Sequence, residues 1–584
     1  MIHPQYIFFS FGVLAFFPFL FYLIAFDKKF DFINIITSIL ISEFILCFFL
    51  EIFSLYNFNK SIILTLVIIS LIISGYFLRT RLSLRSKKMQ KEYYLLIILF
   101  IFILFIEKNR FPPFWPDSFS TYLQYGRTIV EDGKLPLYDY SNIRYIFAYP
   151  PLLYTKIAFL FSIFNNFFDS TTVGIPIFYT LLTFFILINW SKEYLDEKEV
   201  QYFVLMSFLL SIGIIHSTML LQESPLIFFS SLSFYLLDRY LKKKEDFILN
   251  LLFISCCLCM LTKYSGLVIT LLIFSALIHK GYIKKMILKI PLLIPAIFWY
   301  LRNFIFYKNP FPPLLSGFFK ENIYEMSLFA TIYKIPTDID NLNIISISFR
   351  FLILFPAIIF VIIYMIKKRK IFYIKFIAFS FLVYFLVFFQ AFGHFHVRYF
   401  APFYGVFSLF SGLELCKIWK KIFGNKKILV KILFLITLIF VIFGTSTETG
   451  ELVPSKLNKN ALNPFYVENP EEKWPEEFNI IEIGVHDTFV VGDYSGVLSW
   501  YGRNLVMPFN SYSFKIKVKE EINSDKDGEY YYRLFKSIGA QYVYDSPENK
   551  SYQEIFYKLE NDEKRFELIF DLNGYKVWRV KYNE

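Results

Sequence analysis

From Tyr6 to Gly444 the chain is a succession of long apolar runs cut by short polar loops. The hydrocarbon core of a bilayer takes about 20 apolar residues per helix. Backbone immersed in lipid must satisfy its own hydrogen bonds, so runs of this length read as membrane-spanning helices. They fall at 6–26, 32–55, 61–78, 93–106, 171–190, 200–221, 224–241, 247–262, 264–279, 287–306, 345–366, 371–391, 399–416 and 428–444, which predicts an α-helical polytopic membrane protein of about 14 transmembrane helices. Composition excludes the soluble alternative. Hydrophobic residues make up 56% of the chain and charged residues 18%, against about 25% charged in soluble domains, too few to cover a water-exposed surface of this size. A net charge of +12 on a soluble protein would suggest nucleic acid. On a membrane protein the same excess orients helices, and no nucleic-acid partner is expected.

Lys and Arg collect on the cytoplasmic side of a membrane protein. The basic loops are 79–91, Lys242 to Lys244, Lys280 to Lys289, Lys367 to Lys370 and Lys417 to Lys427. Placing all of them inside puts Glu107 to Asp169, Tyr307 to Asn343, Gly393 to Arg398 and everything after Phe443 outside. One further apolar stretch, Pro150 to Phe168, would invert every later loop if it crossed. It is therefore expected to lie in the outer interface as an amphipathic juxtamembrane helix. The first apolar run lacks a basic leader and a small-residue cleavage site and reads as a retained helix. Cys47, Cys256, Cys257, Cys259 and Cys416 lie within or at the edge of apolar runs, where cysteine packs as a small hydrophobe.

After Gly444 the apolar runs shorten and turn signals appear, among them Asp525 to Gly528 and Asn573-Gly574. Alternating segments at 489–491, 541–544 and 575–580 interleave with helical patterns at 531–538 and 552–559. This predicts a small C-terminal α/β extracytoplasmic domain. The expected organisation is N-terminal transmembrane helices over 1–92, a transmembrane catalytic domain over 93–444 with its outer loop at 107–170, and the α/β domain over 445–584.

Ionisable residues at membrane depth are costly and are functional candidates. With this topology they gather at the outer leaflet: Asp117, Glu223, Lys263, Arg302, His394, His396 and Arg398. Carboxylates can accept a proton or orient an acceptor, while Lys and Arg can stabilise charge on a departing phosphate. Simpler roles stand beside these. Asp117 suits a helix N-cap, Glu223 a dipole-favoured helix start, and Lys263 and Arg302 interfacial anchors. His394 and His396 lack a clear third metal ligand. His216 reads as local polar structure, and Glu43, the deep carboxylate, as a group hydrogen-bonded within the bundle.

The stretch FPPFWPDSFSTYLQYGRTIVEDGKLPLYDY, followed by FAYPPLLYTKIAFLFSIF, resembles the first outer loop of the GT-C membrane glycosyltransferases, most nearly the aminoarabinose-transferase and protein O-mannosyltransferase type. The resemblance rests on Asp117 after a helix, a short helix from Ser118 to Val130, a Gly133 to Pro136 turn and Tyr149-Pro-Pro-Leu152. It continues through LQESPLIFFSSLSFYLLDRY, LTKYSGLVI, WYLRNFIFYKNPFPP and VRYFAPFYGV, over about residues 93 to 444. The resemblance implies an inverting transfer of a hexose or pentose from a polyprenyl- or dolichyl-phosphate-linked donor to an acceptor hydroxyl at the outer face. It casts Asp117 and Glu223 as the catalytic carboxylates. Lys263, Arg302 and Arg398 become contacts of the lipid phosphate, with Tyr149 and His396 as further substrate contacts. Ser118 stands where an acidic neighbour of Asp117 is familiar, so no metal ligand is assigned, though a divalent metal is compatible with the family. Membrane lipid, a polyprenyl-phosphate sugar, and a glycan, lipid or protein acceptor are the expected partners, and the cell membrane the expected location. The alternative is a transporter or flippase for lipid-linked glycans, which calls for ionisable groups near the midplane and paired halves.

Overall fold

The computed structural model describes residues 4–25, 32–56, 58–59, 61–65, 67–69, 72, 91–110, 122–135, 149–165, 171–195, 199–211, 213–312, 358–392, 397–424, 426–444, 489–492, 505–508, 526–538, 540–545, 553–572 and 575–582. Up to Gly444 the described residues are almost entirely helical. Among the described residues, four helices are long and apolar enough to cross a membrane, at Tyr6–Leu23, Phe32–Leu55, Gly174–Lys192 and Ile290–Tyr307. The outward faces of the bundle carry bare apolar side chains, including Phe9 at 63%, Ile428 at 76% and Phe440 at 64% exposed. Water would not tolerate apolar surface on this scale, and hydrocarbon would. The build is that of a multi-pass membrane protein.

Most expected spans have a helical counterpart, with two departures. The run at 200–221 is broken: one helix ends at Leu209, Ser211 Oγ accepts from the Gly213 backbone N–H at 3.0 Å, and a second short helix covers Gly213–Thr218. The runs at 61–78 and 345–366 lie largely outside the described residues. Where helices cross closely, small residues make room. An added Cβ at Gly412, in the Tyr404–Phe423 helix, would lie 2.4 Å from Val204 Cα in the Glu199–Leu209 helix.

The segment expected to float in the outer interface is instead packed into the bundle. Its described helix, Leu152–Phe164, is buried from Leu152 through Ser162. Lys156 is fully buried and its Nζ donates to Glu43 Oε2 of the Phe32–Tyr56 helix. The same Glu43 oxygen accepts from Tyr179 Oη at 2.7 Å. The apolar surround that suggested lipid contact is protein core, and Lys156 needs no interface because a carboxylate meets it at depth. Glu43 is hydrogen-bonded within the bundle, as expected.

The two ends of the bundle differ in kind. At one end, ion pairs join the loops rich in Lys and Arg: Arg239–Glu193 at 3.0 Å, Lys242–Asp238 at 2.7 Å, Lys285–Asp246 at 2.7 Å, Lys427–Glu199 at 3.6 Å, and Lys367 with Glu414. The basic loops at 242–244, 280–289, 367–370 and 417–427 thus meet at one end, while 79–90 lies outside the described residues. At the other end, the helix Gln124–Asp132 closes on Gly133 in the left-handed region, φ 68°. Its following turn is tied to the end of the Phe32–Tyr56 helix, where Leu135 N–H donates to Ser54 O and Phe58 N–H to Gly133 O.

After residue 488 the described residues form a five-stranded mixed sheet in the order β2-β1-β3-β5-β4. The strands are β1 Phe489–Gly492, β2 Leu505–Pro508, β3 Tyr542–Asp545, β4 Phe566–Leu572 and β5 Tyr575–Val580. Strands β2, β1 and β3 run parallel, and β5 pairs antiparallel with both β3 and β4. Its own core holds Tyr531, Phe535, Val543, Leu559, Phe566 and Trp578. The helices Gly528–Ile538 and Gln553–Glu560 supply the apolar faces.

Candidate functional site

The site begins at a hairpin. The helices Asp246–Thr262 and Tyr264–His279 are joined by one extended residue, Lys263, at φ −161° and ψ 155°. Gly266 permits so short a link, since an added Cβ there would fall 2.0 Å from the Cys259 carbonyl oxygen. The Gly266 N–H donates back to Lys263 O at 2.8 Å. Lys263 therefore stands at the tip of a stiff hairpin with its side chain 14% exposed.

Opposite it, the Glu223–Lys243 helix opens on Glu223, where the helix dipole favours an acid. Lys263 Nζ donates to Glu223 Oε1 at 2.5 Å, and Glu223 is 1% exposed. Arg398 and His216 are the next ionisable groups near Glu223. Arg398 comes from the 3-10 turn Val397–Phe403, which also brings the Tyr399 ring to 5.7 Å from Lys263 Nζ. Tyr384 Oη fixes that turn by donating to Tyr399 O at 2.5 Å. His216 Nδ1 lies 3.4 Å from Tyr404 Oη, a partner distant in sequence rather than the helix neighbour that its sequence context suggested.

The chain just before the Leu152–Phe164 helix reaches the same place. Gln222 Nε2 donates to Pro150 O at 3.3 Å, and the Tyr149 ring packs 5.2 Å from that of Tyr264. Tyr264 Oη donates to Pro312 O at 2.7 Å, drawing in the chain beyond the Ile294–Tyr307 helix. Glu223, Lys263, Arg398 and Tyr149 are thus gathered from four separate stretches of sequence. Glu223 and Tyr264 are buried, and Lys263, Arg398, Tyr149 and Tyr399 are half-buried.

Arg302 is placed differently. It is 4% exposed, with its guanidinium 4.7 Å from the Trp299 ring and Nη1 donating to Asn303 Oδ1 at 2.8 Å. Arg302 also bears electrostatically on Glu51, a carboxyl group of the Phe32–Tyr56 helix that is 1% exposed and, among the described residues, has no hydrogen-bond partner on either oxygen. Sequence reading passed over Glu51, although it falls eight residues beyond Glu43 on the same helical face. It also passed over Gln222, Tyr264 and Tyr399, whose roles depend on neighbours distant in sequence. Asp117, His394 and His396 lie outside the described residues. Among the described residues, no group of three or more His, Cys, Asp or Glu side chains is placed to hold a metal ion.

No family model matches the sequence, and no curated protein matches it. The structure, in contrast, is similar to ArnT from Cupriavidus metallidurans in the apo state, with a TM-score of 0.54 at 11% identity over 83% of this chain and 97% of that one. Against ArnT bound to undecaprenyl phosphate the TM-score is 0.53 at 11% identity, over 84% and 98% of the two chains. The Archaeoglobus fulgidus oligosaccharyltransferase aligns more loosely, with a TM-score of 0.45 at 14% identity over 78% and 70%. At this identity the likeness to ArnT is one of fold. It spans nearly the whole of ArnT and agrees with the GT-C resemblance carried by the outer-loop motif.

Proposed function

We propose that this chain is an integral-membrane glycosyltransferase that moves a sugar from a polyprenyl-phosphate-linked donor to an acceptor hydroxyl on the outer face, with inversion. The observation that carries the reading is the half-open cluster in which Glu223 holds Lys263 beside Arg398. A lone anion at this end of the bundle would find two cations of which neither is wholly buried. The ArnT fold, seen in one solved form with undecaprenyl phosphate, supports the choice of a lipid phosphate as that anion.

In the proposed reaction the acceptor oxygen bonds to the anomeric carbon while the bond from that carbon to the phosphate oxygen breaks. The acceptor's proton passes to a carboxylate, and polyprenyl phosphate leaves with the electron pair. Lys263 and Arg398 stabilise the charge gathering on the phosphate. Glu223 already answers those cations and suits holding them in place. Asp117, at the motif position where the resemblance expects the acceptor's carboxylate, takes the proton or orients the hydroxyl. Tyr149 and Arg302 are further substrate contacts in this reading, Arg302 toward the lipid phosphate. The C-terminal domain lies on the outer face in this reading.

One observation favours the flippase: the ionisable pair Glu43 and Lys156 lies deep in the bundle. Both groups are bound to each other and at most 1% exposed, which suits a fixed tie better than a passage. Incubating the purified protein with a panel of polyprenyl-phosphate sugars and hydroxyl acceptors tests the choice. Release of polyprenyl phosphate with labelled product supports transfer. Movement of intact labelled lipid across vesicles without release supports the flippase.

A further inference from the structure

Helix 152–164 presents Leu, Ile, Phe or Ala on nearly every side, and its burial is close to uniform around the axis. Apolar packing alone specifies the rotation and height of such a helix weakly, because neighbouring registers bury similar area. Its one charge is Lys156, and that charge is met at depth by Glu43 and overlaid on Tyr179, whose ring centroid is 4.9 Å from Nζ. An ion pair so enclosed contributes little net stability relative to apolar residues of the same volume, and its attested use is to select one arrangement among several. The helix begins one turn before Lys156, directly after Tyr149, Pro150 and Pro151. Tyr149 and Pro150 are the residues that meet Tyr264 and Gln222 at the outer site. The helix that donates Glu43, with Phe58 just beyond its end, also holds the Gly133 to Leu135 turn of the same loop, through Ser54 O and Phe58 N–H.

We propose that Glu43 is a positioning residue: together with Tyr179 it grips Lys156 and so fixes the 152–164 helix where Tyr149 and Pro150 close the outer site. The N-terminal helix 32–56 is by this account the frame of the outer loop, gripping it at two heights. What the closed site does rests on the glycosyltransferase reading, whereas the placement does not.

The test is a crosslink in the full chain between Tyr149→Cys and Tyr264→Cys, using a short bifunctional thiosulfonate. The five native cysteines are buried, so the reagent addresses the introduced pair. The rate is compared among the otherwise native protein, Lys156→Met, Glu43→Gln and the triple variant Glu43→Met/Lys156→Met/Tyr179→Phe. The single variants are expected to melt lower and crosslink about tenfold more slowly. The triple variant is expected to regain the native melting temperature and still crosslink about tenfold more slowly. A triple variant that regains both, or single variants that crosslink at the native rate, would overturn the proposal. Tyr179→Phe, which removes one hydrogen bond, decides the matter should the triple variant not fold: a slower crosslink is expected, and a native rate overturns it. Donor turnover in the same variants should show a raised KM for the acceptor. A native protein that releases no polyprenyl phosphate would refute the functional reading and leave the crosslinking result standing.

Discussion

Lys263 and Glu223 are unequal partners. The carboxylate is 1% exposed and the lysine side chain 14%, so the lysine can rehydrate if its partner goes and the carboxylate cannot. Removing one member of a buried pair costs about 3–5 kcal/mol when the survivor stays buried and charged. Lys263→Ala is therefore expected to lower stability by about that amount, Glu223→Gln by clearly less, and the double variant by less than Lys263→Ala alone. Thermal unfolding in detergent checks this order, and equal losses in the two single variants would contradict the burial asymmetry. A second single-residue prediction lies in the C-terminal sheet domain. Tyr582 Oη donates to Ala540 O, and burial pushes its phenol from the ordinary value near 10 up to about 12. The neutral form is the one the fold prefers, so this contribution is complete below about pH 10 and is lost as pH rises through about 12. Melting of the domain between those pH values should fall more steeply in the native protein than in Tyr582→Phe. Parallel curves would show that the bond contributes nothing.

At the scale of elements, the hairpin carrying Lys263 depends on Gly266. Gly266→Ala places a methyl group against the Cys259 carbonyl, and overpacking of this kind costs about 1–3 kcal/mol. The hairpin must open to accept it, so loss of donor turnover is expected along with the drop in stability. Native turnover in Gly266→Ala would detach the hairpin's geometry from function. Elements were read from sequence in proportion to how far local pattern decides them. The helices 223–243, 246–262, 264–279 and 372–392 match their apolar runs to within a few residues because length and hydropathy are local. Strands β1, β3 and β5 were legible from alternation, whereas β2 and β4 were not. β2 is four residues long at an edge of the sheet, and β4 carries an irregularity between Leu568 and Phe570 that breaks its alternation. Hydropathy does not distinguish lipid from protein core, so sequence alone sets the 152–164 helix in the interface, whereas the structure buries it with Lys156 donating to Glu43. Within the site, Glu223 stands out in sequence as an ionisable residue at membrane depth, and Lys263 and Arg398 as cations opposite the basic loops. Their convergence with Gln222, Tyr264 and Tyr399 is tertiary and left no mark in local sequence.

For the whole molecule, the two ends of the bundle make opposite claims on the solvent. One end holds the basic loops, tied by Lys285–Asp246 and Arg239–Glu193, and the other holds the half-open cluster. Cysteines introduced at the exposed Lys134 and Lys368 should label from opposite sides, Lys134→Cys in intact cells and Lys368→Cys only after permeabilisation. Ser455→Cys, beyond the last helix, should label with Lys134→Cys. Labelling of Lys368→Cys from outside would invert the orientation, and protection of Ser455→Cys would place the C-terminal domain inside. The central claim is that the outer cluster receives a lipid phosphate as it departs from a sugar. The most direct measurement is the rate of polyprenyl phosphate release from polyprenyl-phosphate sugars by the purified native protein, beside Arg398→Gln and Asp117→Asn. Release by the native protein, lowered by about 10²–10³ in each variant with the fold retained, is the predicted result. Absence of release across the donor panel, or native rates in both variants, would contradict it.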